Sequence, residues 1–249
     1  MGKTTTAINL GAALAEAGHR VGLIDLDPQG HLTEGLGVKA QDDPAKNMAV
    51  ALLGRNRGLE LAQLRVARGS NLWVIPSSVD LFMAEPQLAG AIAREHRLEQ
   101  LLPPLAGDTD YLVIDCPPTL GALTDNALVA AKTALVTVQA RGASLRALEI
   151  LFDQIDSLKL AKVQVRVLGL VANEVKSTSV ARRTLDGFRA AELPVLAEIR
   201  ERVELQEAWD AGKSVLEWRP RSDVAQWFRD LAGTVEHVWP AGELMEASR

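Results

Sequence analysis

Gly2-Lys3-Thr4 stands directly before a run of helix-forming residues, and this juxtaposition limits what the chain can fold into. A helix that begins just after a glycine presents free backbone N–H groups to an anion. A lysine beside them adds positive charge, and a threonine hydroxyl is a hard oxygen ligand suited to Mg²⁺. The triplet matches the last three positions of the phosphate-binding pattern G-x-x-x-x-G-K-[ST]; the upstream glycines and the strand that normally feeds the loop are absent from the sequence. Such a site needs carboxylates delivered to the same place. In open α/β sheets ligands bind at the carboxyl ends of the strands, so apolar strands ending in aspartate are what to look for.

Three stretches qualify in part or whole. Val21 to Leu26 is a short apolar run suited to a parallel strand buried on both faces, with Asp25 and Asp27 at its end. Tyr111-Leu112-Val113-Ile114-Asp115 is a second such run, closed by Cys116-Pro117-Pro118. Val165 to Ala172 is a third and ends at Asn173. Between and around them the sequence predicts a helix over Thr4 to Ala17 stopped by Gly18, short helices over Ala45–Leu53 and Leu59–Leu64, and a strand over Leu72–Pro76, ended by Pro76 and Ser77-Ser78. Helices follow over Val79–Leu88, Arg94–Leu102 and Leu120–Ala131, then a strand over Ala134–Val138. Leu145, Leu148, Leu151, Ile155 and Leu158 mark an amphipathic helix over 144–158. A helix over Ser177–Ala191, a strand over Val195–Ile199 and a closing helix capped by Ser222 complete the series; the tail from Pro240 is polar and expected to fray. Alternation of strand and helix implies α/β architecture: one mostly parallel, twisted sheet with helices on both faces.

The 249 residues suit a single domain without linker or repeat. No apolar run is long enough for a membrane span, and no basic segment followed by an apolar core marks a signal peptide. The single Cys116 excludes an internal disulfide framework and a cysteine-only metal site, and it fits a reducing cytosol. A net charge of −5 argues against a surface basic all over but leaves room for a local basic patch.

Taken together, Gly2-Lys3-Thr4-Thr5-Thr6-Ala7-Ile8-Asn9-Leu10-Gly11, Leu23-Ile24-Asp25-Leu26-Asp27-Pro28-Gln29-Gly30, the segment from Asp110 to Gly121 and the later Gly212-Lys213 resemble the ParA/Soj family of partition ATPases, whose superfamily also includes MinD. The resemblance spans essentially the whole chain and implies a P-loop fold, ATP and Mg²⁺. By that resemblance Gly2, Lys3, Thr4 and Thr5 bind the phosphates, with Lys3 on the β- and γ-phosphates. Thr4 ligates Mg²⁺, Asp115 holds it through water and Asp25 supports the metal shell. Lys3, Asp27 and Asp25 form the catalytic set, with Asp27 positioning the attacking water, and Asn173 contacts adenine. The family also implies an ATP-bound homodimer, sequence-independent binding to DNA, release by a ParB-type centromere-binding protein that stimulates hydrolysis, and a cytoplasmic, nucleoid-associated location without membrane contact.

The sequence departs from that family in two places. The family's loop begins Lys-Gly-Gly-x-Gly-Lys-Thr, and its first lysine reaches the partner's nucleotide. Here Met1 stands at the x position, so the expectation is that the first, central strand is lacking, that Met1 is internal to a longer reading frame, and that the chain is poorly stable or deficient in ATP binding. The second departure concerns DNA. Non-specific binding needs Lys and Arg against phosphates, and the candidates are Arg182, Arg183, Arg200, Arg202 and Lys213, with acidic residues interspersed. A DNA-contacting arginine of the family is replaced by Glu204, with Arg202 as the nearest substitute. Three other functions stay open. A MinD-like positioning ATPase wants a basic C-terminal amphipathic helix, whereas residues 222–239 carry Asp223, Asp230 and Glu236 against Arg229, so acidic residues exceed basic ones. An iron–sulfur reductase needs two cysteines per chain. A non-hydrolysing, ParA-like DNA-binding regulator needs no complete loop.

Overall fold

Strand β1 (Val21–Asp25) is buried at every residue, and the molecule is built outward from it. The computed structural model describes residues 2–41, 43–56, 58–141, 144–191 and 193–241. In it β1 pairs in parallel with β3 (Leu72–Ile75) on one side and β4 (Tyr111–Asp115) on the other. A two-residue strand, β2 (Val66–Ala67), adds antiparallel to β3, so the first sheet has the order β2-β3-β1-β4. A second sheet, parallel throughout, has the order β5-β6-β7, from β5 (Thr133–Gln139), β6 (Arg166–Val175) and β7 (Val195–Arg200).

Parallel neighbours need long crossovers, and helices supply them. Helix α1 (Lys3–Glu16) leads into β1, and α4 (Leu81–Ala89) lies between β3 and β4 in sequence. In the second half α5 (Ala122–Ala131) joins β4 to β5, α6 (Ser144–Leu158) joins β5 to β6, and α7 (Ser179–Ala190) joins β6 to β7. Side chains alternate across each strand, so β1 feeds two cores. Leu23 packs with Leu10 and Leu14 of α1 and with Phe228 and Leu231 of the closing helix α10 (Asp223–Val238). Ile24 packs on the other face with Leu61, Leu81 and Leu123. Helices therefore cover both faces of a mostly parallel sheet, as the alternation predicts.

Pairing does not run through the whole assembly. Among the described residues no ladder joins β4 to β5, and a mainly apolar cleft of about 870 Å³ lies between them.

Other differences from the sequence expectations are local. The predicted helix over Arg94–Leu102 is broken into 3₁₀ turns at Arg94–His96 and Glu99–Leu101. The reason is Asn126 of α5: its side chain accepts from the Leu98 N–H (2.9 Å) and donates to the Arg94 carbonyl (2.8 Å), taking groups a continuous helix would use. The segment Ala45–Leu53 is helical only over α3 (Met48–Leu52), capped by Asn47, and Leu59–Leu64 is a 3₁₀ turn over Leu61–Leu64. Three short helices had no periodic signal: α2 (His31–Gly35), α8 (Val203–Asp210) and α9 (Val215–Trp218). Ser222 caps α10 as expected, accepting from Ala225 N–H at 3.1 Å. Of the tail from Pro240, residues 242–249 lie outside the described residues.

Candidate nucleotide site

The carboxyl ends of β1, β4 and β6 converge on the first turn of α1. Gly2 is its N-cap, in the left-handed conformation at φ 71° and with no side-chain cap, so the first helical N–H groups are left for an external acceptor. Glycine is required there twice over. The conformation disfavours a side chain, and a Cβ would sit 2.7 Å from Asn173 Cγ.

Thr4, one position into the helix, turns its hydroxyl to Asp115 at the end of β4 and donates to Oδ2 at 2.7 Å. Its lone pairs then face away from the carboxylate. Asp115 is paired in register with Asp25 across the β1–β4 ladder, so two carboxylates leave the sheet side by side. Asp25 is fully buried and spends both oxygens on its own loop: Oδ1 accepts from Asp27 N–H (3.2 Å), and Oδ2 accepts from the N–H (2.9 Å) and hydroxyl (2.6 Å) of Thr33. Asp27 is also buried and receives Gln29 N–H at 3.0 Å. Ser77, just past β3, closes the lattice by donating its hydroxyl to the Asp27 carbonyl (2.6 Å) and its N–H to Thr33 Oγ1 (2.9 Å).

Burial makes these charges expensive. It pushes Asp115 up to about 7, with the Thr4 hydroxyl and the Lys3 charge pulling the other way and Asp25 and Asp27 adding to the rise. It pushes Asp25 up to about 6, against the bonds from Thr33 and Asp27. Desolvation holds the neighbouring Cys116 thiol up at about 12, so it stays a protonated, packed residue. Among the described residues no cluster of three His, Cys, Asp or Glu side chains forms an all-protein metal cage. A hydroxyl beside one carboxylate is instead the oxygen donor set with which Mg²⁺ is held when phosphates and water complete its shell.

The structure thus brings Gly2, Lys3, Thr4, Thr5, Asp25, Asp27, Asp115 and Asn173 to one end of the sheet. Asn173 is buried beneath α1 and donates to Thr6 Oγ1 at 3.2 Å, and β6 continues past it to Val175. The basic residues lie elsewhere and are exposed: Arg182 and Arg183 on α7, Arg200 at the end of β7, Arg202 before α8, and Lys213 between α8 and α9. Arg202 lies over the Trp227 ring at 5.4 Å, and Lys213 over Trp218 at 5.9 Å. Two further basic residues of this region are engaged in ion pairs, Lys176 with Glu201 and Arg189 with Asp186 and Glu198. Sequence reasoning missed Thr33 and Ser77, which orient the aspartates. It also missed the part of Asn9, whose side chain accepts from Val215 N–H at 2.8 Å and so ties α1 to α9. Only the polar Ser77-Ser78 at a strand end was a visible signal.

The family model described as an AAA domain, AAA_31, matches residues 1–167. The sporulation initiation inhibitor protein Soj of Bacillus subtilis is 35% identical over 244 residues, covering 94% of this chain and 93% of its own length. The chain belongs to the ParA/Soj family of P-loop ATPases. A second family relative, the chromosome partitioning protein ParA of Myxococcus xanthus, is 45% identical over 159 residues, 64% of this chain and 55% of that protein. Among solved structures, cobyrinic acid a,c-diamide synthase from Mycobacterium smegmatis with bound ATP analog and magnesium is 32% identical. It superposes with a TM-score of 0.81, over 97% of this chain and 92% of that one.

Proposed function

We propose that this chain is a partition ATPase that binds ATP and Mg²⁺ at the first turn of α1, dimerises, binds DNA without sequence preference and hydrolyses ATP when a ParB-type partner stimulates it. The observation that carries the reading is the Thr4–Asp115 hydrogen bond at a helix N-terminus, with Asp25 and Asp27 alongside. Mg²⁺, when bound, neutralises the phosphates and the charge that develops on them. The residues of the chain do the rest by placement. The α1 N–H groups and Lys3 receive the phosphates, and Thr5 stands next in the same turn. Thr4 Oγ1, oriented by Asp115, offers a lone pair to the cation, and Asp115 orders its water shell. Asp27 holds the attacking water in line, on a loop that Asp25, Thr33 and Ser77 keep rigid. Lys3 stabilises the leaving phosphate.

Arg182, Arg183, Arg200, Arg202 and Lys213 supply the phosphate contacts to DNA on this reading, by charge rather than by base readout. Among the described residues no helix is long and apolar enough to cross a membrane.

Calorimetric titration with ATP and Mg²⁺ tests the core of the proposal. Two forms are compared, the 249-residue chain and the chain extended ahead of Met1 by Lys-Gly-Gly and an apolar strand. Binding by either form, abolished by Lys3→Ala, is the expected result. No binding by either form, or binding that Lys3→Ala leaves intact, sinks the ATPase reading and favours the non-hydrolysing regulator.

A further inference from the structure

β2 is the outer edge of the first sheet, and a groove of about 820 Å³ lies along it. None of the nucleotide-site residues lines this groove. Three segments wall it: β2 with Arg68, the stretch 36–41 that follows α2, and residues 211–213 between α8 and α9. Two glycines let the last two segments touch. Gly37 (φ 64°) and Gly212 (φ 65°) are both left-handed, and a Cβ on Gly212 would lie 2.9 Å from Gly37 Cα. Arg68 is set into this seam. Its Nε donates to the Leu36 carbonyl and its Nη2 to the Gly212 carbonyl, each at 2.7 Å. Nη1 stands 3.7 Å from Glu217 Oε1, too far for a hydrogen bond. A guanidinium carries five N–H donors, of which the seam takes two; the rest have no hydrogen bond among the described residues.

The charged side chains of the lining are Lys39, Arg68 and Lys213 against Asp43, which accepts from Ala45 N–H at 2.9 Å. Lys39 and Lys213 are exposed, and among the described residues no carboxylate pairs with either. Other surface cations are neutralised, Lys176 by Glu201, Arg189 by Asp186 and Glu198, and Arg229 by Glu16. No aromatic ring is among the lining residues, so the groove offers a base nothing to stack on. A planar fork with unspent donors, flanked by two unpaired ammonium groups, suits phosphate oxygens. Its two carbonyl bonds order Arg68 before any ligand arrives. We propose that this groove is a second phosphate-binding site, for a ligand with two or more linked phosphates: Arg68 grips one, and Lys39 and Lys213, on different walls, take those flanking it. Linked phosphates occur in a nucleic-acid backbone and in free polyphosphate. The first source rests on the DNA reading above and adds Lys39 and Arg68 to it; the second does not depend on that reading.

The test is an NMR titration of the isotope-labelled chain with tripolyphosphate and, separately, with a short mixed-sequence DNA duplex. It reads the amides of Lys39, Ala40 and Ala67, so binding at Lys3 does not enter. Ala67 is a probe because it stands opposite Trp73, one place beyond the Arg68–Leu72 bond, and so turns its N–H outward from the sheet. Saturable shifts with at least one ligand are expected. Lys39→Glu and Arg68→Gln should each raise the half-saturating concentration at least about tenfold, and the same charge change at exposed Lys162, after α6, should not. Arg68→Gln also loosens the seam, so Lys39→Glu is the deciding variant. Shifts with the duplex alone assign the groove to a nucleic-acid backbone, and shifts with tripolyphosphate alone to a free polyphosphate; the latter keeps the groove even if the duplex binds nowhere and the DNA reading falls. No shift with either ligand, or equal weakening by Lys39→Glu and Lys162→Glu, overturns the proposal. Duplex binding that moves only the α7 amides around Arg182 and Arg183, with tripolyphosphate silent, overturns it too, and leaves the DNA reading standing.

Discussion

β1 and β4 are neighbours in one ladder, each five residues long, each apolar and each ending in aspartate, yet they live in different surroundings. β1 has a strand on both sides and is buried throughout. β4 has one on one side only, and Leu112, Val113 and Ile114 are half-buried. Burial here is set by the number of neighbours rather than by composition. The aspartates differ in the same way. Asp25 is held by three donors from its own loop, whereas the only side-chain hydrogen bond to Asp115 shown among the described residues comes from Thr4. One strand end is a scaffold and the other has capacity to spare for a ligand.

Substitution at register partners is the strongest way to break this comparison. Ile24 and Ile114 face each other across the ladder and pack on the same core. Ile24→Ala is expected to cost about 4 kcal/mol and Ile114→Ala about 2 or less, because a half-buried side chain leaves a smaller cavity. Urea unfolding reads both, and equal losses would mean that β4 is as enclosed as β1. Thr33→Val sharpens the contrast at the aspartates. It deletes a donor to Asp25 and the acceptor of Ser77 N–H, both buried, with an expected loss of about 2 kcal/mol. Thr4→Val removes one bond to Asp115 and is expected to lower stability by about 1 kcal/mol. It should weaken Mg²⁺-dependent ATP binding far more, and a calorimetric titration showing unchanged magnesium dependence would contradict that.

The smallest effect lies at the other end of the pair. Arg20, just before β1, grips Asp110, just before β4, through its guanidinium and its own N–H, and this holds the Asp110 carboxyl down at about 2. A depressed carboxyl contributes stability above its unfolded value of 3.8, and the contribution disappears as the pH falls through about 2. The pair is largely exposed, so Asp110→Asn should cost well under about 1 kcal/mol at neutral pH and only a small part of that by pH 2. Thermal unfolding across that range checks it. A deficit that persists undiminished at pH 2 would assign the loss to packing.

Much of this was legible in the sequence for a physical reason. β1 and β4 are continuous apolar runs closed by aspartate, and α6 and α10 carry a helical stripe, so their existence and order could be read directly. Helices of four to eight residues, such as α2, α8 and α9, span too few turns to write a period. The break at Arg94–Leu102 depends on Asn126, which is remote in sequence. Strand pairing is likewise a property of edges rather than of residues: an interrupted sheet could be expected from the incomplete loop, but that the facing edges are β4 and β5 became visible only in three dimensions. At the site, residue types with known chemistry were found, while Thr33 and Ser77 were not, because their role is to hold others still.

The Asn9–Val215 bond has a mechanical consequence. The same side chain donates to the Thr5 carbonyl at 2.8 Å, so Asn9 is a rivet through the first turns of α1 into a segment two hundred residues downstream. Any rotation of α1 as phosphates are gripped or let go must drag α9 with it or shear that rivet, and the stroke is delivered next to Lys213 and Trp218.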